Sequence, residues 1–136
     1  MAYKWDSKLE IGDKTIDDQH KELVVMYNKL LAICASEMAN LTEKNAEIEK
    51  ALNFLCTYTV KHFTDEELLQ KNCGFPGYEE HRAQHEEFKM KAYTLSEKFK
   101  EIGFSDKFAT ILNTQVGLWL ITHIQDEDSK IAAYIK

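Results

Sequence analysis

The sequence predicts an all-α fold, an up-down-up-down four-helix bundle preceded by a non-helical N-terminal arm. Three observations predict it. Residues that break helices are scarce, with one proline and five glycines in 136 residues. Apolar residues recur at steps of three and four along four separate stretches, which is the period of a single helix face. The breaks between those stretches are short, and short connections make successive helices antiparallel neighbours.

Residues 1–16, with Trp5 and Ile11, lack that period and read as an arm that packs on the bundle. The first stripe is His20, Leu23, Tyr27, Leu30, Cys34 and Met38, with Asp17 or Asp18 available as its N-cap. After a break at Met38–Thr42 comes Ile48, Leu52, Leu55, Thr59, His62, Glu66 and Leu69. This second helix opens after Asn40-Leu41-Thr42-Glu43, a capping-box spacing with Asn in place of Ser or Thr. Asn72-Cys73-Gly74-Phe75-Pro76-Gly77 is turn chemistry that a helix interior would not tolerate. The third stripe is Tyr78, His81, His85, Phe88, Ala92, Leu95, Phe99 and Ile102. Past Gly103–Asp106 the fourth runs Leu112, Val116, Trp119 and Leu120, His123, Ile124, Asp128, Ile131 and Ile135. No repeat, low-complexity tract or linker interrupts the pattern, so residues 1–136 are expected to form one domain.

Composition narrows the function. With 44% hydrophobic residues the chain can bury a core without disulfide staples. A net charge of −6 argues against nucleic acid, because phosphate binding wants clustered Lys and Arg. The mixed charges read as solvated helix faces. Cys34, Cys56 and Cys73 are odd in number and lack CxxC spacing, which excludes a disulfide framework or zinc ribbon and favours a reducing compartment. Cys34 and Cys56 read as small core residues. Cys73, in the turn, reads first as an inert thiol, with an exposed redox-active or chain-linking thiol as the alternative, and Lys71 nearby does not decide between them. The first fourteen residues contain no apolar run of the kind a secretory signal needs. The apolar stretch around Val116–Ile121 is far too short to span a bilayer. The expectation is a cytoplasmic protein with no membrane contact. Nothing in the sequence identifies a protein partner. There is no nucleophile–base pair and no phosphate-cradling loop, so no enzyme is expected.

The informative anomaly is that all five histidines fall on core-facing stripes, where Leu, Ile or Phe would be usual. A lone buried histidine usually just satisfies itself with one hydrogen bond. Topology makes that reading poor for five. In an up-down-up-down bundle, the starts of helices one and three share an end with the finishes of helices two and four. His20, His62, His81, His85 and His123 therefore converge at one end of the core. His81 and His85 are four residues apart, so both rings can serve one ion, and His62 with Glu66 repeats that spacing. An unpaired carboxylate on a core stripe is costly, and no Lys or Arg occupies these stripes to balance Glu66. A metal is the simplest counter-charge. On helix four the period leaves two carboxylates open: Glu127 lies four residues after His123, and Asp128 five.

At these residues the chain resembles the hemerythrins, most closely their prokaryotic branch, the bacteriohemerythrins. The resemblance covers nearly the whole chain. It includes Trp5 with Gly12, Ile16-Asp17-Asp18-Gln19-His20-Lys21, and His62-Phe63-Thr64-Asp65-Glu66-Glu67. It continues through Gly77-Tyr78 with His81 and His85, then Trp119-Leu120 with His123-Ile124 and Asp128. Phe75 before Pro76 is a small departure, since the family often has tyrosine there. The resemblance implies two iron ions (Fe2+/Fe3+) joined by Glu66, Asp128 and a bridging oxo or hydroxo. One iron would be held by His81, His85 and His123, the other by His20 and His62. It thereby selects Asp128 over Glu127. Counting donors then fills six positions on the first iron and five on the second, leaving one open for dioxygen.

Five neutral imidazoles and two anions stabilise highly oxidised iron less well than the carboxylate-rich bundle sites do, which favours binding over oxidation. The residues one turn from the donors are apolar: Leu23, Val24, Phe63, Trp119, Leu120 and Ile124. They can pack the core and also line an oxygen pocket that keeps proton donors away. The expected role is an oxygen carrier or store. A sensor module would call for an attached signalling segment, an enzyme for a protonatable pocket, and iron storage for a less enclosed site.

Overall fold

A computed structural model describes residues 3–135. The predicted four-helix bundle is what the chain forms. A short 3-10 turn at Ser7–Leu9 precedes α1 (Lys14–Ala35), α2 (Leu41–Cys73) and α3 (Tyr78–Ile102). The fourth helix, α4, spans residues 106–134 and changes pitch along its length. It begins as α-helix (Asp106–Ile111), widens to a π-helix (Leu112–Gly117), returns to α (Leu118–Thr122), widens again (His123–Glu127) and tightens to 3-10 (Asp128–Tyr134).

Local chemistry sets the boundaries. Asn40 caps α2 as expected, its side chain accepting from Glu43 N at 3.1 Å. The cap of α1 is Asp13, which accepts from Ile16 N at 3.0 Å, and neither Asp17 nor Asp18 takes that part. Asp17 is buried within the first turn and accepts from Ile11 N (2.7 Å) and Gly12 N (3.2 Å), pinning the arm. The arm is accordingly shorter than residues 1–16. Its packing on the bundle is completed by Asn28, which bonds both Tyr3 N and Tyr3 O. At the other end of α2, Gly74 takes the left-handed conformation (φ 72°). Phe75 N–H then reaches Gln70 O and Gly74 N–H reaches Lys71 O, the crossed bonds that close a helix.

The stripes are the core, with two corrections. Met38 lies beyond α1 and is exposed, and Ile102, in the last turn of α3, is 53% exposed. Both stripes overrun the point at which facing helices still cover them. A main cluster built on Leu23, Leu30, Leu52, Phe88, Phe99 and Leu112 fills the bundle. A smaller one of Ile11, Ile16, Phe75 and Ile131 plugs the end where α2 turns into α3.

The pitch changes in α4 matter. Leu112, Val116, Leu120, Ile124 and Asp128 are all buried, in steps of four. An α-helix turns about 100° per residue, so each such step drifts by about 40° and four would carry the stripe by about 160°. The wider i→i+5 turns take that drift back. One of them places Tyr27, whose hydroxyl bonds Asn113 Oδ1 at 3.1 Å, against Gly117, where an added Cβ would lie 2.1 Å from that hydroxyl.

Candidate metal centre

All five histidines and both carboxylates meet at the plugged end of the bundle, and all seven are buried. α1 delivers His20, α2 His62 and Glu66, α3 His81 and His85, and α4 His123 and Asp128. His123 and Asp128 face the same way because the helix is wide between them: Asp128 N–H bonds His123 O across an i→i+5 turn. Glu127, left open by periodicity, instead points outward to Lys130 at 3.2 Å.

The donors form two groups that share the carboxylates. In one, His81 Nε2 lies 2.8 Å from both Glu66 Oε1 and Asp128 Oδ1. His85 Nε2 is 3.3 Å from Glu66 Oε1, and His123 Nε2 is 3.0 Å from Asp128 Oδ1. His123 Nε2 is also 3.1 Å from the Nε2 atoms of His81 and of His85. In the other group, His20 Nε2 is 3.2 Å from Glu66 Oε2 and 3.0 Å from Asp128 Oδ2, and His62 Nε2 is 3.2 Å from Glu66 Oε2. Each carboxylate therefore turns one oxygen to each group.

These residues fit a pair of metal ions. Neither Asp128 oxygen makes an aligned hydrogen bond, despite having imidazole nitrogens within 3.0 Å. Asp128 crowds against those nitrogens without being aligned to any of them, as a carboxylate aimed at a shared centre would. The spacing agrees: with metal–donor bonds of about 2.1 Å, neighbouring donors sit about 3.0 Å apart in an octahedron and about 3.4 Å apart in a tetrahedron. The separations here run from 2.8 Å to 3.3 Å.

Electrostatics gives the same picture. Burial works against a charged His20 or His81, yet the carboxylates of Asp128 and Glu66 outweigh it and raise them to about 10 and about 9. Burial would raise Glu66 and Asp128 in turn, and the surrounding imidazoles hold both well below the usual carboxylate range. For His62 burial dominates and lowers it. The two carboxylates draw positive charge into this pocket, which protons on His20 and His81 supply and which a bound cation would supply in exchange for them.

An outer layer fixes the rings. His62 Nδ1–H donates to Gln19 Oε1 (2.8 Å), and Gln19 Nε2 donates to Asp65 Oδ2 (2.8 Å). His85 Nδ1–H donates to Glu67 Oε2 at 2.8 Å. Each bond leaves the Nε2 lone pair facing the centre. Sequence reading had Gln19, Asp65 and Glu67 only as parts of quoted runs. Their signal is position, since Gln19 adjoins His20 while Asp65 and Glu67 flank Glu66.

Of the six apolar neighbours, Phe63 stacks on His85 (centroids 3.8 Å, 7°) and Trp119 on His123 (4.4 Å, 11°). Leu23, Leu120 and Ile124 are buried in the main cluster; Val24 is buried outside it. Trp119 is only half-buried and borders an open cleft with His123, Gln84, Glu87, Thr122 and Asp126, so the centre is less enclosed on that side than expected. Among the described residues no helix is long and apolar enough to cross a membrane.

Comparison with known proteins agrees with this geometry. Residues 11–135 match the family model described as "Hemerythrin HHE cation binding domain". A bacteriohemerythrin of Stenotrophomonas maltophilia (strain R551-3) is 27% identical over 97% of this chain and 80% of its own length. A myohemerythrin of Riftia pachyptila is 30% identical over 94% of this chain and 89% of its own. A crystal structure of wild-type hemerythrin superposes with a TM-score of 0.81 at 26% identity, covering 98% of this chain and 97% of that one. A donor cluster drawn from all four helices and a family match spanning nearly the whole length lead to one conclusion: this chain belongs to the hemerythrin family.

Proposed function

We propose that the chain binds dioxygen reversibly as a carrier or store, at two iron ions held by His20, His62, Glu66, His81, His85, His123 and Asp128. The observation that carries this reading is the division of each carboxylate between a three-histidine and a two-histidine group. Five imidazoles and carboxylate oxygens in near-octahedral spacing suit iron, though imidazole alone does not select it. When bound, an iron pair would supply the two electrons that dioxygen binding needs, and the two-histidine group, with fewer protein donors than the other, is the side on which dioxygen would be taken up. The protein does the rest. Glu66 and Asp128 hold the two sites at a set separation. Gln19 and Glu67 orient His62 and His85. Leu23, Phe63, Leu120 and Ile124, all 4% exposed or less, keep bulk water and its protons off the centre. Val24 adds to this apolar lining and Trp119 stands at its more open side, and the lining favours release over chemical turnover. We read the protein on this basis as a binding protein of the cell interior, and not as an enzyme.

The test is a cycle. Protein loaded with iron is reduced anaerobically, exposed to oxygen and purged with argon while the visible spectrum is recorded. A band that appears with oxygen and fades on purging is expected. Irreversible conversion in a single exposure would overturn the carrier reading.

A further inference from the structure

One buried amide serves no purpose described so far. Gln70, on α2 one turn beyond Glu66, has no solvent exposure, and among the described residues neither Nε2 nor Oε1 has a hydrogen-bond partner. A fully buried amide with both ends unpaired is rare in a folded protein. His20 Nδ1 is likewise buried and unpartnered among the described residues, as are Gln84 Oε1 and the two Asp128 oxygens, while the ring's Nε2 faces the centre. His62 and His85 each have an outer partner on Nδ1; among the described residues His20, His81 and His123 have none, and of these only the Nδ1 of His20 is fully buried and unpaired.

The register of the helices puts these orphans on adjacent turns. α1 and α2 run antiparallel, with Gln19 joined to His62 and Asp65, and His20 beside Glu66. One turn toward the start of α1 is therefore one turn toward the end of α2, the level of Gln70. Side chains on a helix lean toward its own N-terminus. His20 thus leans toward the Gln70 level, and Gln70 leans back toward Glu66. Ile16, Phe75 and Ile131 are buried in the small cluster at this end of the bundle.

We propose that Gln70 and His20 Nδ1 hold one internal water molecule, and that Gln70 acts through it as a positioning residue for His20. The chemistry is complementary. His20 Nδ1–H donates to the water oxygen, the water donates to Gln70 Oε1, and Gln70 Nε2 is left to donate to the same water. A buried water needs about two to four polar partners, and these adjacent turns offer three. The bridge fixes His20 in its Nδ1–H tautomer and keeps the Nε2 lone pair turned to the two-histidine group. It would give His20 the outer support that Gln19 gives His62.

This inference rests on the iron reading above, and the experiment separates the two. Iron-loaded wild type, Gln70→Met and Gln70→Glu are challenged with a chelator, and iron release and thermal melting are followed. Lost outer-layer support typically weakens metal holding by about 10- to 100-fold. Gln70→Met should therefore release one of its two irons faster by that factor and melt at a lower temperature. Gln70→Glu, which keeps an acceptor at the same reach, should release close to the wild-type rate. If Gln70→Met holds iron as wild type does and melts higher, the amide was merely an unpaired burden and the proposal is overturned. Should that variant not fold, a high-resolution crystal structure of the loaded wild type decides: density for a water within hydrogen-bond reach of both Gln70 and His20 supports it, and none overturns it. Wild type that takes up no iron would overturn the metal reading instead.

Discussion

The two halves of the donor cluster use the same side chains and are backed differently. Behind the three-histidine half, His85 donates to Glu67, a carboxylate answered only weakly by Arg82 at 3.9 Å. Behind the two-histidine half, His62 donates to the neutral amide of Gln19, and the charge sits one residue further out on Asp65 beside Lys61. A carboxylate raises the basicity of an imidazole more than an amide does. On the proposed reading, the three-histidine half would hold its ion hard, and the two-histidine half would hold one while leaving room for a ligand. Aromatic packing follows the same division: Phe63 and Trp119 stack flat on His85 and His123, whereas His62 meets Phe63 at 48°.

The strongest way to break the comparison is to remove a residue both halves share. Glu66→Ala should abolish iron binding in both, and elemental analysis of reconstituted protein should find essentially no iron where wild type is expected to hold about two ions. Retention of both would show that Glu66 is not a bridge. A sharper cut touches only the backing. Glu67→Gln should speed chelator release from the three-histidine half by about 10-fold or more, and Gln19→Leu should do so from the other half. The halves would be told apart by which phase of a two-phase release accelerates; the same phase in both variants would refute the division. The smallest effect comes from a site far from both. Asn40→Ala removes the cap of α2 at a cost of about 1 kcal/mol. The melting temperature should fall by a few degrees while iron content stays at the wild-type value, and a drop in iron would mean that the centre depends on that distant cap.

Much of this was legible before any coordinates. Turn residues and stripes located four helices, and topology alone gathered the histidines at one end. Ala, Leu and Phe at three- and four-residue steps are a pattern that burial enforces directly. What stayed illegible has physical reasons. Asp13 caps α1 ahead of Asp17 because Asp17 is engaged with the arm, a tertiary bond that propensity cannot see. The choice between Glu127 and Asp128 could not come from periodicity, because the helix between His123 and Asp128 does not keep the α period. Gln19 and Glu67 needed the helix register, since a glutamine or glutamate beside a histidine on paper has many possible partners.

That widened turn has a consequence for anyone who would build such a centre afresh. A designer grafting these side chains onto an ideal, straight helical scaffold would copy the five-residue interval from His123 to Asp128 and aim the carboxylate past its target, since five α-helical steps overshoot a full turn by about 140°. In such a scaffold the carboxylate belongs four residues after the histidine, where this chain carries Glu127. Copying the letters would miss the site; only the letters together with the local pitch specify it.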